Sequence, residues 1–143
     1  MRKPSGKTIA AGILILAAAA ALMLGLRRSP ETLLSGKFHQ AAHKGSGTAR
    51  VCRFPDGNLA LCLIGFRTYP GTDLEVRLIA APDALENETV ENSEFVSLGD
   101  LQTAEGDSFY RLPSDLDLNK YRAVTIWSRK YRVNFTTAPL IKP

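Results

Sequence analysis

Seven short apolar runs, cut apart by turn-forming residues, dominate the chain after residue 47: TARVCRF, NLALCLIGF, DLEVRLIA, EFVSL, SFYRL, RAVTIW and YRVNF. Runs of this length bounded by Gly, Pro, Asn and Asp read as strands. Seven of them in about a hundred residues predict an all-β domain, an antiparallel β-sandwich or small barrel. The 143-residue chain has room for one such domain, and 45% apolar composition supplies a core.

The sharpest turn signal is FPDGN, Phe54 to Asn58, with Asp-Gly at its centre and apolar runs on both sides. It predicts a β-hairpin over residues 48–64, which aligns the only two cysteines. If residues 56–58 form a three-residue loop, Cys52 stands directly across from Cys62; a four-residue loop leaves them diagonal. Directly opposed Cα atoms lie roughly 4.5–5.5 Å apart, inside the disulfide window of about 4.4–6.8 Å. Three readings of the pair compete: a structural disulfide, two unlinked thiols, and a cycling redox pair. The disulfide leads on that geometry in an oxidising compartment, and the redox pair ranks last, because nine intervening residues depart from the C-x-x-C arrangement in which a helix N-terminus lowers the thiol pKa.

One segment cannot belong to the β domain. Thr8 to Leu26, TIAAGILILAAAAALMLGL, runs 19 residues without a charge. As a helix it covers about 28 Å, against a bilayer core of roughly 30 Å. Arg2, Lys3 and Lys7 precede it and Arg27 and Arg28 follow, a bias that favours the N-terminus inside. The sequence thus divides into a cytoplasmic start (1–7), a single transmembrane signal-anchor (8–26), a juxtamembrane tether (27–35) and an extracytoplasmic domain (36–143). In the tether, Ser29 reads as a cap, Pro30 as a first helical position and Gly36 as the end of the turn. The expected location is a single-pass plasma (inner) membrane protein. Cleavage is the competing reading, since Ala17 to Ala21 offers small-residue sites, but the apolar run continues past them. No cysteine near the end of the segment provides a lipoprotein acceptor.

The net charge of +4 does not describe the outer domain. Five of the 18 basic residues flank the anchor, and all 14 acidic residues lie from Glu31 onward, leaving 13 basic residues and a net charge of −1 there. That balance lacks the basic face that nucleic-acid binding requires.

Residues able to carry chemistry are few. His39 and His43 would share a face if helical, yet two ligands do not make a metal site. Ser128 follows Trp127 in a run built for burial, and counting by twos places it with Val124 and Ile126. No G-x-S-x-G elbow surrounds it, so no catalytic residue and no metal set are assigned, and the chain reads as a non-enzyme. PDALENETVEN, residues 82–92, carries four acids and few core candidates and reads as a solvated loop.

From Gly36 to Leu140 the chain resembles the DM-thirteen domain family, an electron-transfer domain often associated with DOMON domains. GKFHQAAHKGSGTARV is similar to the family's opening strands, NLALCLIGFRTYPGTDLEVRL to its central strands, VSLGDLQTAEGDSFYRLP to its "LG.LKG..G...Y.LP" segment, and YRAVTIWSRKYRVNFTTAPL to its closing strands. The resemblance implies a β-sandwich-like fold outside the cytoplasm and redox work with an envelope partner. In the family a cysteine follows the tryptophan of the closing motif; here that position is Ser128, after Trp127. Serine lacks thiol oxidation chemistry and is a poor ligand for soft metals, so no redox cofactor is expected in the isolated domain. His43 falls in the family's histidine-containing opening segment and is the better candidate of the two histidines. A non-catalytic binding or structural module is the alternative reading.

Overall fold

The seven apolar runs all become strands, and two more precede them, in a computed structural model that describes residues 29–143. The order is β1 (Glu31–Lys37), β2 (His39–Gln40), β3 (Gly45–Arg53), β4 (Leu59–Thr68), β5 (Leu74–Ile79), helix α1 (Asn87–Asn92), β6 (Phe95–Asp100), β7 (Glu105–Leu112), β8 (Ala123–Ser128) and β9 (Val133–Pro139). All pairings are antiparallel. A four-stranded sheet runs β1-β3-β4-β7 and a five-stranded sheet runs β2-β9-β8-β5-β6. Their facing side chains share one core, in which Val51, Leu61 and Leu63 from one sheet join Val76, Leu78, Val124 and Ile126 from the other. Two antiparallel sheets around a common core make a β-sandwich.

Period-two alternation explains the placement of β4: Leu59, Leu61 and Leu63 enter the core while Ala60, Cys62 and Ile64 face away from it. In β5 and β8 the second face is also covered. Ile79, Ala123 and Trp127 form a smaller cluster with Ala81, Ala84 and Val90. Ala84 and Val90 come from the acidic segment 82–92, expected to be a solvated loop, and Ala81 directly precedes it: the segment's apolar residues, though few, are the lid of this cluster, and Val90 of α1 is fully buried. Asn134 pins the lid. Its Nδ2 donates to the Ala84 carbonyl at 3.2 Å, its backbone N–H donates to Asn87 Oδ1 at 2.8 Å, and its Oδ1 accepts from Thr125 and Thr137 at 2.7 and 3.0 Å.

Two further expectations change. The tether gives way to strand at Glu31, because β1 pairs with β3 from Glu31↔Arg53 onward. Gly36 therefore ends no helical turn; it is a glycine because a Cβ there would fall 1.5 Å from the Pro139 carbonyl oxygen. The hairpin loop is also one residue earlier than predicted. Phe54 N–H donates to the Asn58 carbonyl at 2.9 Å, so Pro55, Asp56 and Gly57 form the loop, with Gly57 at φ 88° in the left-handed position that closes a three-residue turn. Asp56 then accepts from the Asn58 backbone at 2.9 Å.

The segment Thr8–Leu26 lies outside the described residues. Among those described, no helix is long and apolar enough to cross a membrane.

Candidate functional site

The alternation of β8 sends Trp127 and Ser128 to opposite faces of the five-stranded sheet. Ser128 pairs with Leu74 and Val133 and is fully buried at the end of the core face shared by Val124 and Ile126. Its hydroxyl donates to the Thr72 carbonyl at 2.9 Å and accepts from the Tyr131 backbone at 3.3 Å. A hydroxyl whose proton is committed to a carbonyl, with no base among its partners, holds structure and does not attack. Trp127, 3% exposed, lies beneath the lid. Beside it Arg77 places its guanidinium 5.4 Å from the indole centroid and 3.7 Å from that of Phe95, and pairs with the buried Glu75. Glu75 also accepts from Ser97 at 2.5 Å.

His43 sits on the other side of the segment that Ser128 holds. Its ring packs at 5.0 Å from Tyr69 and 4.3 Å from Phe135, and its backbone N–H donates to the Phe135 carbonyl at 3.0 Å. Phe135 enters the core because β9 carries an irregularity there: Ile126 pairs with Thr136, whereas Trp127 pairs with Asn134. The Phe135 ring leaves no room for a side chain on Gly71, where a Cβ would lie 2.5 Å from it. The β4–β5 connection, Tyr69 to Asp73, is thus gripped at Tyr69 by His43, at Gly71 by Phe135, at Thr72 by Ser128 and at Asp73 by Arg129. Arg129 donates to Asp73 at 2.7 Å and also pairs with Asp100; these bonds hold its pKa above the usual arginine value.

Two motif positions far apart in sequence, His43 and Ser128, converge on one loop. Sequence reasoning missed Tyr69, Gly71 and Phe135, although TYPGTD signals a turn and its only aromatic is the residue His43 meets. A cleft of about 640 Å³ opens beside His43, with Gln40, Lys44, Arg67, Thr68 and Tyr69 among its walls. Thr68, 5% exposed, has a hydroxyl without a partner among the described residues.

His39 is not a partner of His43 in any shared site. It lies on β2, where Nε2 bonds Asp83 at 2.6 Å and Nδ1 the Gln40 carbonyl at 2.9 Å. Burial opposes its charge, but the Asp83 carboxylate and the Gln40 carbonyl outweigh it and raise its pKa. Among the described residues, no three His, Cys, Asp or Glu side chains are grouped to hold a metal ion.

The cysteines lie on the opposite side of the molecule, on the outward face of the four-stranded sheet. The earlier loop moves the register, so Cys52 pairs with Ala60 and Cys62 with Arg50, which corrects the direct opposition expected from a later loop. They are diagonal neighbours as unlinked thiols. Burial, and then the adjacent Cys52 thiol, push the Cys62 pKa up to about 11. That is the reverse of an activated thiol. A soft metal or thiol-based redox group does not fit position 128, where the side chain is a hard hydroxyl already satisfied by backbone.

Compared with protein families, the chain matches the model described as Electron transfer DM13 over residues 37–140. No curated protein and no solved structure matches it. The matched span runs from the end of β1 through β9 and contains His43, both cysteines, Trp127 and Ser128. The chain belongs to the electron-transfer DM13 family.

Proposed function

We propose that this chain is a membrane-anchored, extracytoplasmic DM13 domain that serves electron transfer in the cell envelope as an accessory component, working with a redox partner. The family match over residues 37–140 carries the reading. The uncharged run Thr8–Leu26 supports the anchor, with residues 1–7 in the cytoplasm and the β domain outside. Ser128 supports the accessory role, because its position offers no thiol to cycle.

The test is electron flux from isolated membranes to a membrane-impermeant acceptor such as ferricyanide, with and without the chain. Loss of flux on deletion, restored by the full-length protein, is the expected result. Unchanged flux would remove the electron-transfer role. A stoichiometric haem, flavin or metal in the natively purified protein would make it a carrier in its own right. Reporter fusions after Pro143 check the topology, which fails if a cytoplasm-only reporter is active there.

A second reading, a non-catalytic binding module, is favoured by the cleft beside His43. The Thr68 hydroxyl there, without a partner among the described residues, is the kind of buried polar group that a ligand satisfies. Unchanged flux together with a ligand that protects Tyr69 from modification would select it.

A further inference from the structure

The outward face of the four-stranded sheet carries Phe54, Cys62, Ile64 and Phe109, flanked by Arg50 and Arg111. Ile64 is 40% and Phe109 47% exposed, and nothing in the described chain covers them. The Phe54 and Phe109 rings pack tilted at 5.7 Å and line a largely apolar groove of about 420 Å³ at the hairpin end of the sheet. The carboxylates at the far end of this face are engaged: Glu105 pairs with Arg67 at 2.5 Å, and Asp107 accepts from the Gly65 backbone at 2.7 Å. The face therefore presents aromatic and aliphatic surface bordered by Lys37, Arg50 and Arg111, which form no ion pair among the described residues, with Asp56, bonded to Asn58, at the rim of the groove.

Where the chain enters this sheet decides what the face meets. β1 begins at Glu31, directly opposite Arg53 at the base of the Phe54–Asn58 hairpin. Five peptide steps join Leu26 to Glu31, a reach of at most about 18 Å. The aromatic groove and the start of β1 share one end of the sandwich. With Leu26 at the boundary of the hydrocarbon, that end stays within about 18 Å of it, close enough to rest on the headgroups, which reach roughly 5–8 Å out. Aromatic rings with arginines beside them are the side chains that settle there.

We infer that the outward face of the four-stranded sheet, led by Phe54 and Phe109, lies against the phospholipid surface of the membrane that anchors the chain. The inference rests on the proposed anchor. It fixes the orientation of the domain: the β4–β5 loop with His43 and Ser128, and the lid over Trp127, are turned toward partners in the aqueous compartment.

The test uses full-length protein in vesicles of zwitterionic and anionic phospholipid carrying brominated acyl chains. Phe109→Trp reports the face, Phe54→Trp repeats the measurement from a second position, and Trp127 of the unaltered chain gives the buried baseline. Emission from the introduced tryptophans should fall about twofold or more, as for a ring about 5–10 Å into the headgroup boundary, with the baseline unmoved. Protein that resists alkaline carbonate but shows no quenching at either position overturns the docking and leaves the anchor standing. Release by carbonate overturns both. Tryptophans shielded from bromolipid and from aqueous iodide, with cross-links between copies, would assign the face to a second copy of the chain and overturn the lipid assignment.

Discussion

The outward faces of the two sheets are built in opposite ways. Strand β4 of the four-stranded sheet alternates core-facing and outward residues, and on its outer face no segment of the described chain lies over Cys62 and Ile64, which stay partly exposed and exposed. Strand β8 of the five-stranded sheet is buried at all six positions, because the segment 80–94 lies over its second face. One fold thus carries a sheet with a half-buried pattern and a sheet with a continuous one, and only the second can hide Trp127, Glu75 and Asn134. The difference teaches that the lid is part of the core: it is short and acidic, yet without it a tryptophan and a network of polar groups would face water.

The strongest way to break the contrast is to empty the covered face. Trp127→Ala should destabilise the domain by about 3–5 kcal/mol in denaturant unfolding, whereas Phe109→Ser on the bare face should stay within about 0.5 kcal/mol. Equal effects would mean that both faces are covered in the working protein. The bare face offers the next largest effect through its thiols. In an oxidising compartment we expect Cys52 and Cys62 to be linked, contributing about 2–3 kcal/mol by closing a short loop. Diagonal neighbours stand about 7–8 Å apart, beyond the usual window, so the strands must close slightly to form the bond. Mass spectrometry without reductant decides it, and free alkylation of both thiols in protein from its own envelope excludes it.

On the covered side, Asn134→Ala should cost about 1–3 kcal/mol, since Thr125 and Thr137 lose their shared acceptor. It should also speed proteolysis within residues 82–94; a stability loss with no change in cleavage would show that Asn134 does not hold the lid. Ser128→Cys should be milder, at about 1 kcal/mol, the weaker thiol donor replacing one hydrogen bond to Thr72. The new thiol should resist alkylation until the domain unfolds. Fast labelling would place position 128 within reach of solvent and partners.

The smallest effect is a pH dependence at the edge of the lid. His39 has a raised pKa when folded, so its pair with Asp83 stabilises fully below its ordinary value of about 6.5. The contribution fades as pH rises through the folded value, and for a partly exposed pair it is below about 1 kcal/mol. Asp83→Asn should flatten this slope of the melting temperature against pH; an unchanged slope would assign it to another group.

The strand runs were legible because alternation and turn residues are local signals, and all seven became strands. What the sequence concealed depends on contacts across the molecule. β1 looked like a tether because Ser29, Pro30 and Gly36 mimic helix punctuation, and only its pairing with β3 makes it a strand. PDALENETVEN looked solvated because a count of acids outweighed Ala84 and Val90, whose partner Trp127 is more than 30 residues away. The hairpin was visible but its register was not, since FPDGN fits two loops one residue apart and Gly57 must take the left-handed position to choose between them. His43 and Ser128 were each singled out, yet nothing local tied them to one loop. That convergence needs both sheets to be in place.

Gly36 also governs how the domain bears mechanical load. β1 belongs to the four-stranded sheet and β2, two residues later, to the five-stranded one, so the chain changes sheets where Gly36 presses against Pro139. Tension applied at Glu31 runs along β1 and loads its ladder with β3 in shear, all rungs together, rather than peeling them one at a time. Because the bridge from Ser35 to Ile141 ties the same strand to the chain's last residues, a pull at one end of the domain is met by the other. A tether attached there would drag the sandwich as a unit before it could unzip it.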